Sequence, residues 1–226
     1  KILIFSDWFY PGYKAGGPIK SVTNLSIALQ QEMEVYVFTA DTDLNETSSY
    51  SNIESNKWIN PISNSNVQVY YCSKSNLTRN KIKEIITEVN PSCIYLNHMW
   101  SVWFVLYPLI IAWFHFKKIK IVLCTRGALF PSALHYLNTY PKKKAVLFFL
   151  KLLQVHKKIT FHATSIQEKE TIEKQFGKVK IEIANNLPDF NQPTLETITK
   201  VEGKLKIIFI ARIVEIKNLL LLLKNL

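Results

Sequence analysis

The sequence lacks acidic residues over a long central stretch. Residues 89–167 contain no Asp or Glu, although they hold ten of the chain's 28 Lys and Arg residues. The other basic residues are almost balanced by the 17 acidic ones, so nearly all of the formal net charge of +11 arises in this stretch. A surface of one sign attracts anions, and nucleic acid, anionic lipid and phosphorylated small molecules all fit that description. Charge alone does not choose among them.

Cysteine is scarce and long apolar runs are absent. Cys72, Cys93 and Cys124 lie far apart, which fits neither a zinc site nor a disulfide framework. With no signal peptide before the first apolar run, the sequence favours the cytoplasm. The apolar run at 102–116 has 15 residues and a proline, against the roughly 20 residues that a spanning helix needs. We expect it to form a buried helix, the alternative being a membrane-inserted one.

The chain does contain a regular alternation of apolar strands and amphipathic helices. KILIFS (1–6) is typical of a buried strand, and apolar residues then recur at helical spacing from Ile19 to Leu29. The same alternation continues to residue 184 and predicts an α/β protein with a Rossmann-like, doubly wound parallel sheet. The polar stretch 41–66 is expected to be a loop, and a basic helix is expected at about 142–158.

Prolines and polar residues after position 187 indicate a domain boundary. We assign residues 1–187 to a first Rossmann-like domain, 188–204 to a linker, and 205–226 to the first strand and helix of a second, truncated Rossmann-like domain. One strand and one helix cannot bury a core of their own, so we expect the sequence to be part of a longer protein.

Gly16 and Gly17 stand between the first strand and the first helix. A turn at this place presents backbone N–H groups and the positive end of the helix, and glycine permits the close approach of an anion. Neither G-x-G-x-x-G nor G-x-x-x-x-G-K-[ST] is present, so the turn is neither a dinucleotide fingerprint nor a P-loop. A turn that merely needs a positive φ is the alternative.

Polar clusters follow four of the predicted strands. Ligands of open α/β sheets bind at the carboxyl ends of the strands, so these clusters are expected to share one rim. The alternative is local: His98 ends a strand, Arg126 is a surface charge, and Ser165 with Glu168 forms a capping box. The clusters are NHMWS (97–101), TRGALFPSAL (125–134), HATSIQE (162–168) and ANNLPDF (184–190).

Two cations accompany the strand-like run LKIIFIAR (205–212). Arg212 ends that run, and Lys217 lies at the expected start of the next helix. A guanidinium offers paired hydrogen bonds and an ammonium a point charge, so the two suit a diphosphate. Solvated charges on a surface helix are the alternative.

Taken together, these segments resemble the family 4 glycosyltransferases, which are two-domain enzymes of the GT-B fold. The resemblance covers essentially the whole chain and matches the family's amino-terminal domain, its linker and the opening of its carboxy-terminal domain. The matching segments, in the family's order, are YPGYKAGGPIKSVTNLSIAL (10–29), NHMWS, TRGALFPSAL, HATSIQE, ANNLPDF and ARIVEIKNL (211–219).

The resemblance implies a role for each candidate residue. Gly16, Gly17, Arg212 and Lys217 would bind the donor diphosphate, and His98 would be the catalytic-site histidine that approaches the donor sugar. It implies sugar transfer, with retention, from a nucleotide sugar to a glycan or lipid-linked acceptor in bacterial surface polysaccharide synthesis, without a cofactor or an obligatory metal. The residues expected to line the cleft are Arg126, Thr164, Ser165, Glu168 and Asn185.

The sequence departs from the family pattern at several positions. Thr125 replaces a proline, whereas Asn186, Ala211 and Asn218 stand where the family has glycine. The family's pair of glutamates that holds the donor does not occur by residue 226. We therefore predict that the 226-residue chain does not catalyse transfer by itself.

A basic segment suggests a second kind of partner. YPKKKAVLFFLKLLQVHKK (140–158) combines six lysines with an apolar face, which is typical of a helix that lies on an anionic membrane surface. It would place the protein peripherally on the inner face of the cytoplasmic membrane, whereas the alternative is a surface helix packed on the core. A noncatalytic binding module, as a membrane adaptor or nucleic-acid binder, is the other class of function. No nucleic-acid motif accompanies the charge, so we expect no nucleic acid partner.

Overall fold

An eight-stranded sheet organises the first part of the chain. Its order is β3-β4-β2-β1-β5-β6-β7-β8, and neighbouring strands are parallel except for the β3–β4 pair. The Rossmann-like, doubly wound sheet predicted from the sequence is confirmed. The strands are β1 (Ile2–Phe5), β2 (Val35–Ala40), β3 (Trp58–Ile59), β4 (Gln68–Cys72), β5 (Cys93–Asn97), β6 (Lys120–Cys124), β7 (Ile159–Ala163) and β8 (Lys180–Ile183).

The computed structural model describes residues 1–135, 139–188, 203, 207–210 and 218–225. Its contacts divide the chain into two compact units, residues 1–190 and 191–226. The second unit contains helix α7 (Leu219–Lys224). The predicted linker and second domain fall mostly outside the described residues, so the predicted domain boundaries stay predictions.

Helices cover both faces of the sheet, as parallel strands require. Apolar residues of α2 at helical spacing, Ile82, Ile85, Ile86 and Val89, pack with α3, α5 and α6 into one core, and Val22 of α1 packs into the other. The helices of the first unit are α1 (Gly17–Leu29), α2 (Arg79–Val89), α3 (Tyr107–His115), α4 (Pro131–His135), α5 (Tyr140–Leu152) and α6 (Ile166–Phe176).

The segment expected to be one buried helix at 102–116 has two parts. A π-helical turn, Val102–Leu106, precedes α3, and the Ser101 hydroxyl accepts the N–H of Phe104 at its start. Phe104 and Leu109 are buried, so one side of the segment packs into the core, whereas Val102, Ile110 and Phe114 on the other side are exposed. In the described parts of the chain, no helix has the length and apolar character needed to cross a bilayer.

Two sequence-based element boundaries are wrong. The basic helix expected to reach residue 158 ends at Leu152, because Gln154 adopts a left-handed conformation with φ of 53° and a separate 3₁₀ turn, Val155–Lys158, follows. The stretch 41–66, expected to be a loop, contains β3, whose two residues pair with β4. The left-handed turn after α5 and the two-residue strand β3 are not predictable from the residue types around them.

Candidate functional site

The sheet has its topological switch point between β1 and β5. From β1 the chain continues through α1 to β2 on one side, whereas β5 leads to β6 on the other, so the loops after β1 and β5 lead in opposite directions. Open α/β sheets have their ligand-binding crevice at such a switch point. Hydrogen bonds join the two loops: the Asn97 amide donates to Ser6 Oγ at 3.1 Å, and Ser101 Oγ donates to Asp7 Oδ1 at 2.6 Å. This carboxyl edge is therefore the place where a ligand would bind.

Arg126 lies at this edge, directly after β6. Its backbone has a positive φ of 50°, and its side chain crosses the ends of three strands. Nε donates to Asn97 Oδ1 at 2.9 Å, Nη1 donates to Asn186 Oδ1, and Nη2 lies 3.5 Å from Tyr95 Oη. The guanidinium is thus fixed in place by neutral groups.

A second set of hydrogen bonds, formed by His162, holds the Tyr95 hydroxyl that lies next to the Arg126 guanidinium. His162 Nε2 lies 2.8 Å from the Ala184 carbonyl, which can only accept, so this nitrogen carries a proton. The other ring nitrogen, Nδ1, lies 2.8 Å from Tyr95 Oη. The Cys124 thiol beside the ring raises the pKa of His162, against the effect of burial. The ring thus links the ends of β5, β7 and β8.

Glu168 lies beneath the edge, with only 1% of its surface exposed. One carboxylate oxygen accepts the Thr125 hydroxyl and, at 2.6 Å, the Gly127 N–H. The other accepts the N–H and the hydroxyl of Thr164, each at 2.7 Å. Burial alone would raise the pKa of Glu168, but these four hydrogen bonds outweigh it and hold the pKa below its ordinary value. The carboxylate therefore ties the loops after β6 and β7 together.

Ser165 provides half of the predicted capping box. Its hydroxyl accepts the Glu168 N–H at 3.2 Å and caps α6, as the alternative reading proposed. The Glu168 carboxylate, however, accepts the N–H of Thr164 instead of that of the capping residue. Both Ser165 and Thr164 are half-buried at the edge, so a local capping role and a place near the crevice coexist.

His98 follows β5 in a left-handed conformation with φ of 82°. Its N–H donates to the Cys124 carbonyl at 3.0 Å, and its Nδ1 lies 3.3 Å from the Trp100 N–H, from which it accepts. Burial, together with the charges of Lys143 and Arg126, lowers the pKa of His98. At pH 7 the ring is therefore neutral, and because Nδ1 accepts, the proton resides on Nε2.

Gly16 and Gly17 lie at the start of α1. Gly16 has φ of 72° and ψ of −127°, a conformation that only glycine adopts readily. A Cβ at either position would meet no atom within 4 Å, so packing does not explain the glycines. They border an apolar pocket of about 570 Å³ that is not lined by the Arg126 network. Its lining includes Tyr10, Tyr13, Ile19 and Ile62.

Of the remaining predicted site residues, the structure describes Asn185 but neither Arg212 nor Lys217. Asn185 is exposed, and its neighbour Asn186 is the residue that contacts Arg126. Arg212 and Lys217 lie outside the described residues. Sequence analysis did not select Tyr95, Asn97, His162 or Asn186, although three of these lie within segments that it quoted. Their partners are distant in the chain, so no local pattern indicates the contacts.

Within the described residues, no three His, Cys, Asp or Glu side chains group in a way that could hold a metal ion. The prediction that no metal or cofactor is required stays a prediction.

Comparisons with known proteins support the fold. No family model matches the sequence, and no curated protein matches it either. Among solved structures, the chain is similar to sucrose-phosphate synthase from Thermosynechococcus elongatus, with a TM-score of 0.54 and 14% sequence identity. The match covers 81% of this chain and 47% of that one, so the chain spans about half the length of its structural neighbour. At this level of identity, the first unit shares the Rossmann-like fold of a GT-B glycosyltransferase.

Proposed function

We propose that the chain forms the amino-terminal part of a GT-B glycosyltransferase of family 4 type. The enzyme transfers a sugar from a nucleotide sugar to a glycan or lipid-linked acceptor, with retention, during synthesis of a cell-surface polysaccharide. The fold shared with sucrose-phosphate synthase supports the glycosyltransferase assignment. Family 4, retention and the polysaccharide setting rest on the sequence resemblance.

The arrangement around Arg126 carries this proposal. Its recorded partners, Asn97, Asn186 and Tyr95, are all neutral, and among the described residues no carboxylate forms an ion pair with it. A half-buried cation held by neutral groups leaves its charge uncompensated and attracts an anion. A phosphate of the donor or of a lipid-linked acceptor has the required charge.

His98 has properties suited to the donor sugar. Its ring is neutral at pH 7, and in that form Nε2 presents an N–H to an acceptor. None of the described residues forms a hydrogen bond with Nε2. We propose that this N–H binds a hydroxyl of the transferred sugar and orients its anomeric carbon.

The remaining chemistry follows from the family resemblance. Arg212 and Lys217 would stabilise the departing diphosphate, with Gly16 and Gly17 permitting its close approach. As the bond between the anomeric carbon and the diphosphate breaks and the bond to the acceptor oxygen forms, a diphosphate oxygen takes the acceptor's proton. This scheme requires no metal, cofactor or protein nucleophile.

The test uses the complete gene product with a panel of nucleotide sugars and lipid-linked acceptor extracts. We expect donor-dependent transfer that falls at least about a hundredfold in Arg126→Ala and in His98→Ala, because each removes one positioned group. His115→Ala, which changes a histidine on α3 away from the edge, is the matched control. Absence of transfer with every donor from folded protein would overturn the proposal.

A second assay concerns the 226-residue chain on its own. We expect it to show no sugar transfer above a no-protein control, because the family resemblance implies that the donor is held by a pair of glutamates that these 226 residues do not contain. Transfer by this chain alone would contradict the expectation. A folded but inactive complete protein would instead favour the noncatalytic alternative, a basic membrane adaptor, which the exposed apolar face of α5 also fits.

A further inference from the structure

The outward side of α5 has an unusual composition for a surface helix. We define the α5 outer face as Pro141, Ala145, Phe148, Phe149 and Leu152, all of them exposed. Phe148, Phe149 and Leu152 keep 59%, 57% and 61% of their surface in solvent. A helix that packs on a sheet normally turns polar residues outward, so this apolar face calls for a partner.

The α5 outer face is apolar although the opposite side of the helix already packs against the core. Leu147 and Leu150, at 5% and 7% exposure, pack inward with the main hydrophobic cluster. The outward phenylalanines and leucine therefore do not contribute to the core of the described unit.

Lysines border the α5 outer face on both sides. At about 100° per residue, Lys142 lies on one margin, and Lys144 and Lys151 lie on the other. All three are exposed, and the surrounding stretch, residues 89–167, contains no acidic residue. Long lysine side chains at such margins can reach a charged layer while the apolar centre enters a less polar one.

We infer that α5 is a membrane-docking helix whose outer face rests on a bilayer surface containing anionic lipid. Phe148, Phe149 and Leu152 enter the boundary between headgroups and acyl chains, and the flanking lysines contact lipid phosphates. The helix lies in the plane of the surface, because its 13 residues span only about 20 Å and its inner side belongs to the core.

A second copy of the chain fits this face less well. In a symmetric dimer through the α5 outer face, the marginal lysines of the two copies would approach one another without an acidic residue between them. Anionic lipid supplies the missing negative charge. None of the residues of the α5 outer face or its marginal lysines is among those proposed for sugar transfer, and the inference stands or falls independently of that activity.

The test is flotation of the 226-residue chain with vesicles of phosphatidylcholine, alone or mixed with phosphatidylglycerol. We expect binding to the mixed vesicles that weakens as salt is added, because the lysine contribution is screened. Phe148→Ser with Phe149→Ser should reduce binding at least about tenfold. Lys142→Gln, Lys144→Gln and Lys151→Gln together should reduce it about a hundredfold at low salt.

Matched variants separate a specific surface from general charge and hydrophobicity. The triple variant Lys74→Gln, Lys83→Gln and Lys178→Gln removes the same charge from exposed lysines elsewhere, and Met33→Ser removes an exposed apolar side chain at 40% exposure. Both should bind vesicles nearly as the parent chain does. Circular dichroism should show that every variant is folded.

Three results would overturn the inference. The first is no flotation with mixed vesicles at low salt, and the second is equal loss of binding in the two lysine triple variants. The third is a parent chain that sediments as a dimer and becomes monomeric in the phenylalanine variant, which would assign the α5 outer face to a second copy.

Discussion

Charged side chains have different kinds of partner in the two halves of the carboxyl edge. In the acidic half, formed by the loops after β1 and β2, the carboxylates are occupied by donors of the chain: Asp43 accepts the N–H groups of Tyr13, Lys14 and Leu44. In the basic half, formed by the loops after β5 to β8, the hydrogen-bond partners of Arg126 among the described residues are all neutral. The acids therefore hold loops in place, whereas the guanidinium keeps an unpaired charge among the described residues.

Glu168 is the carboxylate that stabilises the loops of the basic half. It is a carboxylate in the basic half, yet its oxygens are filled by donors from Thr125, Gly127 and Thr164 and do not pair with Arg126. Its negative charge stabilises the loops without neutralising the guanidinium. The comparison thus separates carboxylates that accept several hydrogen bonds from the chain from a cation that pairs with none of them.

The largest expected effect comes from removing this support. Glu168→Leu should lower the free energy of unfolding by about 3–5 kcal/mol, because several buried donors lose their acceptor at once. Glu170→Leu, on the exposed side of α6, is the control and should change stability by less than about 0.5 kcal/mol. Urea denaturation measures both variants, and a loss below about 1 kcal/mol in Glu168→Leu would show that the carboxylate does not support the loops.

A smaller effect is expected from the corresponding change in the acidic half. Asp43→Ala should cost about 2–3 kcal/mol, because three N–H groups lose a charged acceptor. Hydrogen exchange at Tyr13 and Lys14, in the loop between β1 and α1, should become faster, whereas exchange in the sheet should not change. Glu46→Ala removes an exposed partner of Lys14 and should cost less than about 1 kcal/mol. Unchanged exchange in Asp43→Ala would remove the distinction between the halves.

Sequence patterns predicted much of the fold because the relevant signals are local. Apolar runs and helical spacing are enough to indicate the alternation of strands and helices, and a serine three residues before a glutamate indicated the cap of α6. The end of α5 was missed because Gln154, which turns the chain into a left-handed conformation, carries no glycine or asparagine signal.

The candidate site was predictable only in its position. That polar residues after the strands meet at one edge follows from parallel topology. The contacts themselves join residues far apart, as when Arg126 bonds to Asn186 or Gly127 to Glu168, and their side-chain geometry has no sequence signature. The four hydrogen bonds by which Glu168 joins two loops likewise have no sequence signature, and its place in the cleft stays a prediction.

Sulfate binding tests whether the Arg126 guanidinium in the basic half binds an anion. Sulfate at about ten times its dissociation constant should stabilise the 226-residue chain by about 1.4 kcal/mol, and Arg126→Gln should abolish this increment. Sodium chloride at equal ionic strength and the exposed-site variant Lys74→Gln are the controls. If Arg126→Gln retained the full sulfate effect in thermal unfolding, the guanidinium would not be the anion site.

Replacing Asp7 should have the smallest effect on stability. That effect should be opposite in sign to those of replacing Asp43 or Glu168. Burial raises the pKa of Asp7, although the Ser101 hydroxyl partly opposes the shift, whereas hydrogen bonds keep the pKa values of Asp43 and Glu168 low despite burial. Ionised Asp7 therefore opposes folding at neutral pH, and ionised Asp43 and Glu168 favour it.

Asp7→Asn should consequently stabilise the chain at pH 7 by less than about 1 kcal/mol, because it removes an unfavourable charge and keeps an oxygen for Ser101. The gain should shrink as the pH falls through the folded-state pKa and disappear below the ordinary value of about 3.9, where Asp7 is protonated in both states. Over the same range the parent chain should lose the stability contributed by Asp43 and Glu168. Denaturation of both proteins across pH measures this difference, and a gain that grew in acid would mean that the Asp7 charge belongs with the supporting carboxylates.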